Sequence, residues 1–339
     1  MPPGPCAAGM VLALVLVLAP LACVAQAPPA DGLRLSVAVS PALPLGAAAK
    51  AWADALAADP RGGLEVKLHP GATLSQRDPA RELLALRDGG ADLAVGSALA
   101  WSAQVPALAV YATPWLAPTP AELAAVVDAP DVSGAIARRA EAFGVVVLAA
   151  APLGHRALAT RGSPVRAPSD LAGLRTRVTG GAPVVETLAA LGARPETMSF
   201  AQAQAALAAN TLDAQEGWPT SFAAARLPAS GFTHVLRWGA FGDAMLFAVR
   251  RPVWETWTDL QRSAARETAL AVARASGAMA SEDQALARLV REGATELAPT
   301  GAGIEAFRAA SRPAREAWAA RVGADLIEAA QRAVLSVPR

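Results

Sequence analysis

From residue 33 the apolar positions switch between two periods. Leu33, Leu35, Val37 and Val39 fall at every second position, predicting a strand with one buried face; Leu45, Ala48, Ala49, Trp52 and Leu56 then recur at helical spacing. Residues 64–68 predict a second strand, and a helix over 79–87 is stopped by Gly89-Gly90. The continuous apolar run 91–96 reads as a strand buried on both faces. This βαβαβ order is the grammar of an open, largely parallel sheet.

The order repeats further on. Thr119-Pro120-Ala121-Glu122 has capping-box spacing and starts a helix, and 145–150 reads as a buried strand. A second set comprises a strand over 174–178, a helix over 183–191 stopped by Gly192, a helix opened by Ser199 with Gln202 three residues on, and a strand over 212–216. Residues 244–249 predict another strand. Beyond Pro252 a proline-free stretch to about Ser281 predicts one long helix, about 40 Å at 1.5 Å per residue, able to bridge two lobes. A helix over 282–292 and two more within 303–334, parted near Arg312-Pro313, complete the chain. The expected fold class is α/β with two lobes, each a mostly parallel sheet flanked by helices. Lobe I would take 33–153 plus about 243–281, and lobe II 154–242 plus about 282–339.

At 339 residues the length favours two domains. The 53% hydrophobic content owes much to alanine, and Lys+Arg 30 against Asp+Glu 29 leaves a formal charge of +1, so composition supports neither membrane spans nor nucleic-acid binding. Residues 1–27 carry no charged side chain and hold a run of about ten apolar residues, Met10 to Ala19, before small-residue sites at Ala25 and Ala27. That predicts a cleaved export signal and a periplasmic location. Cys6 and Cys23 both fall inside it, so the mature chain would lack thiols; lipidation at Cys23 is the alternative.

Catalytic patterns are not seen. His69, His155 and His234 are far apart, the glycine pairs lack phosphate-loop spacing, there is no G-x-S-x-G, and Ser199 suits a helix cap better than a nucleophile. The expectation is no enzyme, no cofactor and no metal.

One segment does carry chemistry. Leu174-Arg175-Thr176-Arg177-Val178 places Arg175 and Arg177 on one face of an interior strand, where charge needs an internal partner, solvent or a bound anion. An arginine fork suits a carboxylate. The spacing alone leaves these alternatives open.

The segment Pro168-Ser169-Asp170-Leu171-Ala172-Gly173-Leu174-Arg175-Thr176-Arg177-Val178, then Leu191-Gly192-Ala193, then Asn210-Thr211-Leu212-Asp213-Ala214-Gln215-Glu216, resembles the signature of solute-binding proteins of tripartite ATP-independent periplasmic (TRAP) transporters, the DctP-like family. Earlier segments agree in order: Lys67 to Leu74, Asp88 to Leu93, Val105-Pro106-Ala107-Leu108 and Thr113-Pro114-Trp115-Leu116. The resemblance runs from about residue 33 to 250. It implies a type II-like periplasmic-binding-protein fold and a monomeric receptor that closes on a small organic acid and delivers it to TRAP membrane subunits. By position it implies Arg177 as the carboxylate clamp, Arg156 as a second cationic contact and Phe200 as an aromatic against the ligand. Ser40 and Ser97 would be first-lobe polar contacts, and Gln215, Glu216 and Trp218 the hinge-side wall.

Ser40, Ser97 and Trp101 suit packing or capping equally well, and Glu216 suits a resting partner for Arg177. Gly217-Trp218-Pro219 replaces an asparagine common in the family, which argues against a polyhydroxylated sugar acid. Trp101, Trp218 and Trp238, if they line the cleft, favour an aromatic or aliphatic monocarboxylate over a small dicarboxylate. A sensor for a membrane signalling partner and an exported enzyme on the same scaffold are the rival readings.

Overall fold

Eleven short strands among the described residues sort into two sheets, as two alternating sets of apolar runs require. A computed structural model describes residues 32–198, 200–276 and 278–338, with Met1 and Gly4; the rest of the expected export signal and Ser199 lie outside the described residues. The strands are β1 Leu33–Ser36, β2 Val66–His69, β3 Leu93–Ser97, β4 Val145–His155, β5 Ala157–Thr160, β6 Arg175–Val178, β7 Arg194–Thr197, β8 Ala214–Gly217, β9 His234–Leu236, β10 Gly242–Arg250 and β11 Thr295–Leu297. The first sheet runs β2-β1-β3-β10-β4 and the second β11-β9-β5-β8-β6-β7. Each is mostly parallel with one inverted strand: β10 opposes β3 and β4, and β5 opposes β8 and β9.

The apolar runs are explained by burial on both faces. Leu93 and Val95 of β3 and Met245, Phe247 and Val249 of β10 pack towards the helix Pro44–Ala58, with Trp52 edge-on to Phe247 at 5.5 Å. Ala94, Leu246 and Ala248 face the opposite way, into a second cluster with Leu83, Trp101, Leu123 and Val126. The second sheet divides likewise, Leu158, Val178 and Ala214 on one side and Ala157, Ala159 and Val235 on the other.

The chain steps between the sheets at closely tied points. β4 ends at His155 and β5 starts at Ala157, so Arg156 is the single connecting residue. The return runs from β9 to β10 through Phe241, whose carbonyl accepts the Arg156 backbone N–H at 2.9 Å. Beside them Gly154 sits at φ +112°, and a Cβ there would come within 2.6 Å of a Glu282 oxygen that accepts the His155 N–H at 2.8 Å.

Two expectations about the C-terminal third change. The stretch from Pro252 to about Ser281 is not one helix but Arg251–Thr256, Asp259–Ala275 and the first turn of Ala278–Arg291, the helix expected over 282–292. Thr258 and Gln261 form a reciprocal capping box that starts a new helix. The helix Asp259–Ala275 packs on the first sheet through Ala265 and Ala269, whereas Ala278–Arg291 packs on the second through Ala285, Leu286 and Leu289. The region 303–334 holds three helices, Ala302–Ala310, Arg312–Val322 and Ala324–Leu335, the last break falling at Gly323. The sequence placed all of them with the second lobe. In the structure Trp318, Val322, Leu326 and Ala330 pack with Leu123 and Val126 in a cluster of the first sheet.

Candidate functional site

The carboxyl ends of β6 and β8 meet the Arg156 crossover, where open α/β sheets place ligands. The two strands run parallel with Thr176 opposite Ala214 and Arg177 opposite Gln215, so residues in register share a face. Two positions back, Arg175 lies across from Asp213 and grips it with two hydrogen bonds of 2.8 Å. That arginine is half-exposed and internally paired.

Arg177 is the opposite case. It is only 8% exposed, and among the described residues its guanidinium donates to a single acceptor, the Met198 carbonyl, at 3.2 and 3.4 Å. Burial pushes its pKa down to about 10; the Arg156 charge acts in the same direction and Glu216 against it. Its register neighbour Gln215, 4% exposed, is a neutral amide whose Nε2 has no hydrogen-bond partner among the described residues. An unsatisfied buried donor costs about 1–3 kcal/mol. A buried cation and a buried amide on one face therefore both lack a strong acceptor.

Arg156, 1% exposed, is engaged through Nε and Nη2. Its Nε and Nη2 donate to the two oxygens of Glu216, the second at 2.7 Å, and Nη2 also donates to Thr179 Oγ1. Trp218 lies against the guanidinium with its ring centroid at 4.4 Å, and its own Nε1 is buried without a partner. Asp243 Oδ2 stands 3.9 Å from Arg156 Nη1. Burial opposes the Arg156 charge, but Glu216 and Asp243 together hold its pKa above the ordinary value. Glu216 is thus the partner of Arg156 rather than of Arg177.

Asp243 was not legible as a site residue, although a charge opening an apolar strand is a signal. It accepts from Ser97 Oγ at 2.7 Å, Leu99 N at 3.1 Å and Ala244 N at 2.9 Å, and burial still raises its pKa to about 6. Ser97 is therefore committed to Asp243, and its Oγ also caps the helix Ala98–Trp101 through Ala100 N. Ser40 is exposed in the turn after β1, where its Oγ accepts the Ala42 N–H. Phe200 opens the helix Phe200–Ala208, its side chain lying outside the described residues.

Two of the tryptophans are core. Trp101 is fully buried beneath Gly96, where a Cβ would meet its indole at 2.1 Å, and its Nε1 donates to Glu82. Trp238 packs edge-on to Trp115, Phe241 and Phe307. The bulk of both indoles is absorbed by packing that the sequence pattern does not reveal. Of the three, Trp218 alone stands at the arginine cluster.

Glu82 was likewise missed. Fully buried, it accepts from Ser36 Oγ at 2.8 Å and Trp101 Nε1 at 3.2 Å, and burial raises its pKa to about 7 from an ordinary 4.5. The folded chain holds this proton to higher pH than the unfolded chain. The associated stability is complete below about 4.5 and is lost as pH rises through about 7. Glu82→Gln should remove that part of the pH dependence, up to about 3 kcal/mol between pH 5 and 8. Urea unfolding of both proteins across this range is the check; parallel profiles would refute it.

Among the described residues no group of three or more His, Cys, Asp or Glu could hold a metal ion, and no helix is long and apolar enough to cross a membrane.

The family model of bacterial extracellular solute-binding protein, family 7, matches residues 35–321. A TRAP periplasmic solute binding protein of Ralstonia eutropha, solved with bound (S)-2-hydroxy-2-methyl-3-oxobutanoate, is 33% identical with a TM-score of 0.85, over 90% of this chain and 99% of that one. A sugar acid binding protein of Advenella mimigardefordensis in complex with galactonate has a TM-score of 0.80 at 17% identity, over 89% and 97% of the two chains, a likeness of fold alone. The 2,3-diketo-L-gulonate-binding periplasmic protein of Escherichia coli is 28% identical over 169 residues, 50% of this chain and 51% of that protein. An uncharacterized protein of Sinorhizobium fredii is 32% identical over 184 residues, 54% of this chain. The chain spans about a third of the length of the latter protein and about half of the former.

Proposed function

Because the chain belongs to bacterial extracellular solute-binding protein family 7, we propose that it is an extracytoplasmic receptor that closes two lobes around a small organic acid and hands it to the membrane subunits of a TRAP-type transporter. One lobe comprises β1–β4 and β10 with the helices up to Pro130–Ala142, the helices Arg251–Thr256 and Asp259–Ala275, and the last two helices. The other comprises β5–β9 and β11 with the helices Ala182–Ala190, Phe200–Ala208, Pro219–Ala224, Ala278–Arg291 and Ala302–Ala310. The expected export signal over 1–27 carries the chain across the inner membrane.

The single observation behind this reading is Arg177, a buried guanidinium at the carboxyl end of β6 with no carboxylate hydrogen-bonded to it among the described residues. A ligand carboxylate supplies the missing acceptors and the missing charge. Arg156 and Glu216 hold the crossover rigid beside it, and Trp218 walls the arginine cluster. The charges also speak to ligand class. Arg156 and Arg177 contribute two positive charges and Glu216 and Asp243 two negative ones, a formal sum of zero. One carboxylate leaves the buried cluster at −1 and two leave it at −2, so a monocarboxylate is favoured over a dicarboxylate.

The test is thermal unfolding of residues 28–339, refolded to strip any bound ligand, against matched mono- and dicarboxylates. A ligand at 100 times its Kd adds about 2.7 kcal/mol, a rise of several degrees for a chain this size. Stabilisation by monocarboxylates in preference to dicarboxylates is expected. If only amines or neutral sugars stabilise the protein, the carboxylate reading fails.

A further inference from the structure

Resting on the receptor reading, we infer that Glu186 latches the closed lobes, holding the helix Ala182–Ala190 of the second lobe against the helix Arg312–Val322 of the first. The two helices belong to different cores. Val184 and Leu188 pack with Leu158 and Val178 of the second sheet, whereas Trp318 and Val322 pack with Leu123 and Val126 in a cluster of the first. Glu186 crosses between them. Its Oε2 accepts the Trp318 indole N–H at 3.0 Å, and Arg321, one turn on from Trp318, donates from Nη1 to both carboxylate oxygens at 2.7 and 2.8 Å.

The same helix meets the first lobe at its start. Gly181, its N-cap, sits at φ +92°, and a Cβ there would come within 2.5 Å of the Leu99 side chain. Leu99 follows β3 in the chain but packs in the second-sheet cluster. Arg177, the Leu99 contact and the Glu186 contact thus lie in that order along one short stretch. Closure around an acid at Arg177 seats Gly181 against Leu99 and Glu186 against Trp318 and Arg321 together.

The indole decides the energetics. The side chains of Glu186 and Arg321 are 39% and 48% exposed, and an ion pair that open to water contributes little. Trp318 is 4% exposed, and Glu186 accepts its N–H. Parting the two helices lets water reach that N–H, but closing them without Glu186 leaves it buried with no acceptor, a cost that falls on the closed form alone. Apparent affinity scales with the fraction of protein able to close, so losing the latch weakens binding without touching the acid.

The test uses residues 28–339 carrying Ala51→Cys and Ala205→Cys, exposed positions on the first and second lobes, for a pair of spin labels; Cys6 and Cys23 lie outside this segment. Monocarboxylates of three to six carbons are titrated calorimetrically, and the tightest binder to the wild type is the probe for Glu186→Ala and Glu186→Gln. Glu186→Ala should bind it about tenfold more weakly. Glu186→Gln keeps an acceptor oxygen and should recover part of the loss, while the unliganded melting midpoints match the wild type. The label separation should change when the probe is added to the wild type, and the new separation should be less populated in Glu186→Ala at the same probe concentration. Undiminished affinity in Glu186→Ala overturns the latch alone, and a lowered unliganded midpoint with affinity retained shows a static contact instead. A label separation in the wild type that ignores the probe overturns it too. Failure of every acid to bind the wild type counts against the receptor reading, and the latch falls with it.

Discussion

Arg177→Met should reduce affinity for the carboxylate ligand by about 10²–10³-fold, the usual consequence of removing one partner of a buried, hydrogen-bonded charge pair. The same substitution should leave the unliganded protein as stable as the wild type, or more so. Arg177 is buried with one carbonyl for a partner, and its lowered pKa records the cost of keeping that charge out of water. Methionine fills most of the volume and carries no charge. Paired melts with and without ligand separate the two effects: the ligand-induced rise disappears while the unliganded midpoint holds. A fall in the unliganded midpoint, with the ligand-induced rise preserved, would show that Arg177 serves the fold and not the ligand.

The largest loss of stability should come from the pair next to it. Arg156 and Glu216 are almost completely buried and bound to each other through two hydrogen bonds, so Glu216→Ala strands a guanidinium and Arg156→Met strands both Glu216 and Asp243. Breaking a buried pair from one side costs about 3–5 kcal/mol, a fall in Tm on the order of 10 °C. Arg156→Met should be the worse of the two, because two carboxylates lose their counter-charge. The double variant Arg156→Met/Glu216→Ala should be less destabilised than the sum of its single changes, since neither charge is left facing the other's absence. Denaturant titration of the four proteins in a cycle measures the coupling. Additive losses would mean that the pair does not act as a unit.

These two arginines illustrate how far the sequence reaches. Arg175 and Arg177 are equivalent in a strand pattern, and so are Asp213 and Gln215. The register between β6 and β8 distinguishes them, by setting an acid across from the first arginine and an amide across from the second. That signal lay in the sequence as Asp213-Ala214-Gln215, readable only once the strands are known to be parallel neighbours. Ser97 and Trp101 followed the same course in reverse. Their positions suited a cleft, but Asp243, some 146 residues from Ser97, takes the hydroxyl, and Glu82 takes the indole N–H.

The sequence alone determined what depends on neighbours along the chain. Periodicity gave the principal strands and helices, capping residues marked the helix start at Thr119, and charge balance disfavoured nucleic acid. It did not show the polar edge strand β7, whose residues face solvent and carry no apolar period, nor the break at Thr258, whose cap was masked by good helix formers on both sides. Tertiary structure decided which buried charges are satisfied. Hydrogen bonds act over about 3 Å while Ser97 and the buried Asp243 lie 146 residues apart, so pairing is a property of the folded arrangement. It left Arg177 with one carbonyl and the Gln215 Nε2 with no acceptor among the described residues, on one face of one sheet, and that shortage, invisible in any single segment, is the ground for the acid site proposed here.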